Sequence, residues 1–303
     1  MKNRDVKNIP HSVHDRLMHI ARSEGRGFEE VLIFYTIERF LYRLSVSPYG
    51  DRFVLKGALM FRVWDPTPRA TRDIDLLGQL DSDPEFLMGV FKEACLDSSY
   101  PDGLEFDPGT LPQEPIAHGA GYLGSRFKVL ARLGPAKVNL QIDVGFGDAI
   151  SPEPTDFEYP VLLEMPAPRL KGYQMETLIA EKLDAFVLRG EANSRVKDFY
   201  DIWYLSTTFS FAGPVMLESV TSTFARRGTH IPDDLGSLLA AYAGDSARQA
   251  QWSAFTRSKL LAESPEHFSE VVQAVGAFVA PVLSAYSSGA QFDMTWDPTA
   301  GWK

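Results

Sequence analysis

Apolar residues recur at helical spacing from Phe28 to Leu44, with polar Glu38, Arg39 and Arg43 between them. That spacing predicts a helix over 28–45, preceded by a shorter one over 12–24 with Ser12 as its N-cap. Ser47-Pro48-Tyr49-Gly50 breaks the pattern. Phe53-Val54-Leu55 then reads as a strand entering Lys56-Gly57-Ala58, followed by a short helix from Leu59 to Val63. A turn carrying Pro66 and Pro68 feeds a second strand, Asp73 to Leu77. Residues 84–98 read as a helix, and 100–120, rich in Pro, Gly and Asp, as an irregular loop or insertion. Strict alternation follows. Arg126, Lys128 and Arg132 interleave with Phe127, Val129, Ala131 and Leu133. Across Gly134-Pro135, Asn139, Gln141 and Asp143 interleave with Val138, Leu140, Ile142 and Val144. This is a hairpin signature. Val161-Leu162-Leu163 reads as a last strand of this half. From about residue 174 the period is helical almost throughout, with helices expected at 175–189, 195–206, 214–226, 232–243, 246–262 and 265–284. An extended tail from Phe292 would be pinned by Trp296 and Trp302. The pattern is that of an α+β chain, divided into an α/β part over 1–170 and a helical part over 171–303.

The chain has 303 residues, and its 40 acidic against 30 basic side chains give a formal charge of −10. That balance argues against sequence-blind nucleic-acid binding, while leaving room for a local basic groove. Cys95 is the single cysteine, so no intramolecular disulfide forms and a reducing, cytoplasmic setting is expected; it reads as a packed residue of the 84–98 helix. The first residues lack the apolar core of a signal peptide, and no apolar run reads as approaching membrane-spanning length, so no membrane partner is expected. Phe34, Tyr35, Phe40 and Tyr42 lie at helical spacing and read as core or interface.

The chemistry concentrates in Arg69-Ala70-Thr71-Arg72-Asp73-Ile74-Asp75. On a strand, Asp73 and Asp75 share one face and Ile74 the other. Paired carboxylates on a rigid element suit Mg²⁺, a hard cation held by one or two carboxylates plus substrate phosphates. They could also cap a turn or pair with Arg69 and Arg72. Asp143, on the polar face of another strand, would complete a three-carboxylate set of the kind two-metal transfer uses; alone it reads as a solvated face residue. Lys56-Gly57 places a cation beside a residue that lets backbone approach a phosphate, with a following helix start to favour the anion. In Met175–Phe186, Lys182 projects from the apolar face, with Glu181 and Asp184 on the polar side. Asp198 aligns with Ile202 and Leu205 towards the inner face of the next helix. Lys182 and Asp198 fit either a structural ion pair or a triphosphate cation with a base or metal ligand. The six histidines show no metal-ligand spacing, and no P-loop, Rossmann or acyl-transfer motif is present.

Together, Glu38-Arg39-Phe40-Leu41-Tyr42-Arg43-Leu44, Phe53-Val54-Leu55-Lys56-Gly57-Ala58, Arg72-Asp73-Ile74-Asp75, Glu181-Lys182 and Arg195-Val196-Lys197-Asp198-Phe199-Tyr200-Asp201 resemble the AbiEii/AbiGii toxin family over about residues 28–210. The resemblance implies a DNA-polymerase-β-like nucleotidyltransferase core with N-terminal helices and a helical C-terminal half. It further implies Mg²⁺, a nucleoside triphosphate, an antitoxin protein and an RNA acceptor such as the tRNA 3′ end. By position, Lys56 matches a phosphate-side lysine, Asp73 and Asp75 the metal pair, and Lys182 and Asp198 the downstream catalytic lysine and aspartate. Gly57, Thr71, Arg72 and Lys197 are the candidate nucleotide contacts, and Asp143 a third candidate metal ligand. Arg69, Arg72, Arg126, Lys128 and Arg132 could line an acceptor groove or be solvated surface. The sequence departs from the wider superfamily in carrying Lys56-Gly57-Ala58 where a Gly-Ser pair is usual. Competing readings are a protein or nucleotide kinase using the same site, and a non-catalytic module held by an antitoxin.

Overall fold

The computed structural model describes residues 8–65, 71–111, 113–117, 123–190, 194–232, 234–257, 261 and 263–303. The chain divides into two compact units: Met1–Gly147 with Thr155–Gly172, and Asp148–Pro154 with Tyr173–Lys303.

The first unit opens with helices α1 (Ile9–Ser23) and α2 (Phe28–Val46). α1 starts three residues ahead of the expected 12–24, because the Asn8 side chain accepts the His11 N–H at 3.1 Å and Pro10 suits the first turn. Strand β1 (Phe53–Lys56) passes through a 3₁₀ turn, Gly57–Met60, into the four-residue α3 (Phe61–Trp64). β2 (Asp73–Gly78) and α4 (Pro84–Leu96) follow, and Asp83 caps α4 through the Phe86 N–H at 2.9 Å. Next come β3 (Glu105–Asp107), β4 (Gln113–Ala117), β5 (Leu123–Leu133), β6 (Ala136–Phe146), β7 (Thr155–Glu158) and β8 (Arg169–Gly172). They form a mixed sheet of eight strands among the described residues, in the order β3-β5-β6-β2-β1-β8-β7, with β4 also on β5. β2 runs parallel to β6 and antiparallel to β1.

One face of this sheet is core. Leu55, Ile74, Leu76, Phe127, Ile142 and Val144 are buried on it. Phe91 of α4 meets Phe40 of α2 at 6.0 Å, Phe53 at 5.7 Å and Phe127 at 4.9 Å between ring centroids. Such aromatic contacts add roughly 0.5–1.5 kcal/mol each beyond area burial, which ties α2 and α4 to the strands. Cys95 packs in the same layer, and burial pushes its thiol up to about 12.

Two local readings are corrected. Residues 100–120 are not merely a loop, since β3 and β4 pair with the two halves of β5. Val161-Leu162-Leu163 is not a strand: the Leu162 N–H is donated to Glu38 Oε2 at 2.8 Å. The last strands are instead β7 and β8, and β8 runs parallel to β1. The polar positions of α2 are buried as well, Glu38, Arg39 and Arg43 being 1%, 0% and 5% exposed. Arg43 donates to both oxygens of buried Asp102 at 2.9 and 3.1 Å, and to the carbonyls of Cys95 and Leu104.

The second unit contains α5 (Met175–Arg189), α6 (Val196–Thr208), α7 (Gly213–Arg227), α8 (Leu235–Ala243), α9 (Ser246–Phe255) and α10 (Phe268–Ser288). α9 ends well short of the expected residue 262. α10 starts later and runs longer than 265–284, ending where Gly289 takes a φ of +64°. Contrary to expectation, α10 is long and apolar enough to cross a membrane by length and composition, but half of that stretch is buried, as in a core helix. It packs on α6, α7 and α8. The tail forms a small sheet, β11-β10-β9, from Phe211–Ala212 (β9), Thr295–Asp297 (β10) and Gly301–Trp302 (β11). Trp302 stacks on Phe278 at 5.6 Å and Trp296 meets the same ring at 4.8 Å, so the tail is fastened by aromatics.

Candidate active site

The polar face of the first unit's sheet holds the strand carboxylates. Register fixes who stands beside whom. Lys56 of β1 aligns with Asp75 of β2, Asp75 with Asp143 of β6, Asp143 with Arg126 of β5, and Arg126 with Glu114 of β4. One row therefore reads cation, carboxylate, carboxylate, cation, carboxylate across five strands. The next row on that face places Asp73 beside Gln141, and Gln141 beside Lys128. Neighbouring strands lie about 4.8 Å apart, so Asp75 and Asp143 repel unless cations sit on or beside them. Ile74 and Leu76, on the opposite face, are fully buried and anchor β2, so the two aspartates are held in place by apolar packing.

Lys56 is 8% exposed. Gly57 follows with a φ of +69°, where L side chains are disfavoured, and the Asp75 carboxylate lies against its Cα. The glycine thus opens room for that carboxylate beside the lysine. The helix expected after Gly57 is only the four-residue 3₁₀ turn and four-residue α3, too short to supply a helix-terminus field.

Asp143 is engaged. Arg126 donates to it twice, Nε to Oδ1 at 2.8 Å and Nη2 to Oδ2 at 2.7 Å, and Gln141 Nε2 donates at 3.2 Å. These hydrogen bonds raise the Arg126 pKa above its already high range, so the guanidinium stays charged. Among the described residues no group of three or more His, Cys, Asp or Glu side chains is arranged to hold a metal ion. Asp73 and Asp75, two hard carboxylates on one strand face, fit a divalent cation. A metal on Asp143 would compete with the charge of Arg126 for the same carboxylate. The other basic residues of β5 also face acids: Lys128 donates to Glu114 at 3.0 Å, and Arg132 aligns with Glu105. Thr71 and Arg72 immediately precede β2; Arg72 is exposed, with Glu29 at 3.9 Å. Arg69 lies outside the described residues.

In the second unit, Lys182 of α5 holds an ion triad. Its Nζ is 2.8 Å from Asp198 Oδ1 and 2.6 Å from Asp201 Oδ2, both on α6. Lys182 and Asp198 are 13% and 14% exposed, whereas Asp201 is fully buried. Lys197 is exposed, its ammonium 5.9 Å from the Phe255 ring. Asp201 escaped the sequence reading, although its i, i+3 relation to Asp198 puts both on one helix face. A larger omission is the network around Arg227, at the end of α7. Arg227 reaches Asp184 at 2.8 Å, Asp148 at 2.9 Å and Glu181 at 3.3 Å. Thr229 donates a short hydrogen bond to Asp184. Against the lowering effect of burial, Glu181, Asp148 and Asp184 hold the Arg227 pKa above its usual range. Asp184, expected on the polar side of its helix, is 1% exposed. No local signal marks Arg227, whose partners lie tens of residues away.

Comparison with known proteins agrees with this architecture. A crystal structure of a candidate nucleotidyltransferase from Helicobacter pylori superposes with a TM-score of 0.50 at 13% identity, covering 87% of this chain and 98% of that one. JHP933 from Helicobacter pylori superposes with a TM-score of 0.46 at 14% identity, over 83% of this chain and 90% of that one. The first likeness shows a shared fold, in keeping with the α+β nucleotidyltransferase core expected from the sequence. No curated protein matches the chain in sequence. The sequence profile of the nucleotidyl transferase AbiEii toxin family, from type IV toxin–antitoxin systems, matches residues 39–274. With that match spanning most of its length, and strand aspartates, lysine and glycine on one sheet face, the chain belongs to the AbiEii nucleotidyltransferase toxin family.

Proposed function

We propose that this chain is a Mg²⁺-dependent nucleotidyltransferase toxin that moves a nucleotide from a nucleoside triphosphate to an RNA acceptor, such as the tRNA 3′ end, and is restrained by an antitoxin protein. The observation that carries the reading is the row Lys56, Asp75, Asp143, Arg126, with Asp73 beside it on the same face. Asp73 and Asp75 would hold the divalent ion, which supplies neutralisation of the triphosphate and its pyrophosphate leaving group. Lys56 stabilises phosphate charge from the neighbouring strand. Gly57 keeps Asp75 close to that lysine, and Thr71 and Arg72 stand next along the chain as nucleotide contacts. Asp143 is a third ligand where the metal outcompetes Arg126 for it, and otherwise the Arg126–Asp143 pair fixes the edge of the site. In this reaction the acceptor hydroxyl oxygen bonds to the α-phosphorus while the bond from that phosphorus to the pyrophosphate oxygen breaks. Lys182, Asp198 and Lys197 belong to the other unit, and their part in transfer is a matter for mutation.

The test is incubation with each α-labelled triphosphate, Mg²⁺ and total tRNA. We expect labelled RNA and one pyrophosphate per nucleotide added, both lost in Asp73→Ala and Asp75→Ala. Label that is equally low in wild type and Asp73→Ala sinks transfer to RNA. Nucleoside diphosphate instead of pyrophosphate would point to phosphorylation from the same residues.

A further inference from the structure

The pair between Arg126 of β5 and Asp143 of β6 has the geometry of a strong contact and the surroundings of an exchangeable one. The guanidinium places one hydrogen bond on each Asp143 oxygen, at 2.8 and 2.7 Å. Yet the two side chains are 33% and 17% exposed, so parting them leaves neither charge sealed from water. Asp143 would not be left bare either, since Gln141 Nε2 donates to its Oδ2 at 3.2 Å.

The neighbours limit where the guanidinium can go. The charges of Asp143, Asp73 and Glu114 all act on Arg126. Glu114, across the strand from Arg126, already receives the Lys128 ammonium on both oxygens, at 3.0 and 3.2 Å. Asp73 is one of the two carboxylates that fit a divalent cation. Once cations claim Asp73 and Asp143, each of the three carboxylates has a partner other than Arg126. The guanidinium then needs an anion from outside. Its planar fork suits phosphate as well as carboxylate, and a nucleoside triphosphate and an RNA acceptor both carry phosphate.

We propose that Arg126 has two positions, on Asp143 in the absence of metal and on a substrate phosphate once a divalent ion takes Asp143. The proposal rests on the reading of Asp73 and Asp75 as metal ligands. It makes Arg126 a phosphate contact that also withholds Asp143 from the metal until phosphate draws it away. Metal and phosphate then bind cooperatively, each raising the affinity for the other by the same factor. A pair that only fastened β5 to β6 would act with the opposite sign, because removing it would loosen Asp143 and weaken metal binding.

Mn²⁺ binding to the full chain, followed by electron paramagnetic resonance, reads that sign. Arg126→Gln removes both the competitor and a positive charge facing the ion, so it should bind Mn²⁺ about 10-fold tighter than wild type. Made in an Asp143→Asn background, the same change should bring no tightening. Arg126→Lys, which keeps the charge without the fork, should fall between wild type and Arg126→Gln. At saturating Mn²⁺, tripolyphosphate and fluorescein-labelled hexauridylate serve as probes for the nucleotide and the RNA. Arg126→Gln should weaken at least one of them by about 10-fold, and the one weakened names the phosphate that Arg126 takes. That loss should shrink when metal is left out. Equal or weaker Mn²⁺ binding in Arg126→Gln overturns the proposal. So does tightening that persists in Asp143→Asn, a loss for neither probe, or a loss just as large without metal. Failure of the underlying reading has its own signature, an Mn²⁺ affinity indifferent to Asp73→Ala, and it overturns this proposal with it.

Discussion

Replacing Gly57 by alanine tests whether Asp75 works where the fold puts it. Gly57 has a φ of +69°, and a Cβ there would stand 3.0 Å from both Cβ and Cγ of Asp75 and closer still to Oδ2. Left-handed backbone costs an L residue about 1–2 kcal/mol. Turning the Asp75 side chain off its rotamer costs about 0.5–1.5 kcal/mol more, so Gly57→Ala should lose about 1.5–3.5 kcal/mol of stability. Gly25 is the control: its φ is +65°, and a Cβ there meets nothing within 4 Å. Gly25→Ala should lose only the backbone part, about 1–2 kcal/mol. The two variants should separate far more in activity. Displacing a metal-holding carboxylate by about 1 Å can remove about 100-fold in rate, so Gly57→Ala should lose that much labelled-nucleotide transfer and weaken Mn²⁺ binding, while Gly25→Ala transfers at the wild-type rate. Urea titrations give the stabilities, and radiolabel transfer and Mn²⁺ electron paramagnetic resonance give the function. Wild-type transfer and Mn²⁺ affinity in a Gly57→Ala protein destabilised as expected would refute Asp75 as a metal ligand. Equal stability of Gly57→Ala and wild type would refute the steric reasoning itself.

Arg227→Met keeps most of the side-chain volume but removes the cation shared by Asp148 and Asp184, which are 4% and 1% exposed. Breaking such a pair should destabilise the second unit by about 3–5 kcal/mol in urea unfolding. Glu38 is pushed by burial from 4.5 to about 7, against the opposing pull of Arg39, the Leu162 N–H and Arg62. The folded state therefore holds this proton more tightly than the unfolded one, so the stability it confers is present below pH 4.5 and lost as pH rises to about 7. Subtracting the pH profile of Glu38→Gln from that of wild type should reveal a fall of up to about 3 kcal/mol across that window, and a flat difference would refute it. Cys95 is 3% exposed with its thiol pushed up to about 12, so Ellman's reagent should leave it untouched in native buffer and label it in full in urea.

What the sequence displayed well was whatever local periodicity encodes. The β5–β6 hairpin, α2 and the Asp73–Asp75 strand follow from alternation or helical spacing, because each buries a face set by its own side chains. Local spacing failed where the partner is distant. Glu38 and Arg39 look like the wet side of an amphipathic helix, yet the 159–168 segment covers them and supplies Leu162 and Pro166 as partners. Asp184 looks solvated until Arg227 arrives from α7. Leu162, in an apolar triplet resembling a strand, gives its N–H to a glutamate instead of a ladder. The strands β3, β7 and β8 are only three or four residues long, too short for a period to rise above noise.

The candidate site shows the same division at the level of single residues. Asp73 and Asp75 are legible because one strand carries both and its other face is buried. The partnership with Asp143 depends on β2 lying parallel to β6, a crossover pairing that no local pattern announces. Register then places Arg126 across from Asp143, where geometry gives it both carboxylate oxygens. The repulsion between Asp75 and Asp143 is thereby relieved from outside, by Lys56 at one end of the row and Arg126 at the other. A metal ion bridging Asp75 and Asp143 would have to compete with a charge-assisted bidentate pair, worth roughly 1.5–3 kcal/mol per hydrogen bond. The sequence already sets Asp73 and Asp75 ahead of Asp143, and the residue across the strand adds a reason, since Asp143 is the one that Arg126 engages through both oxygens.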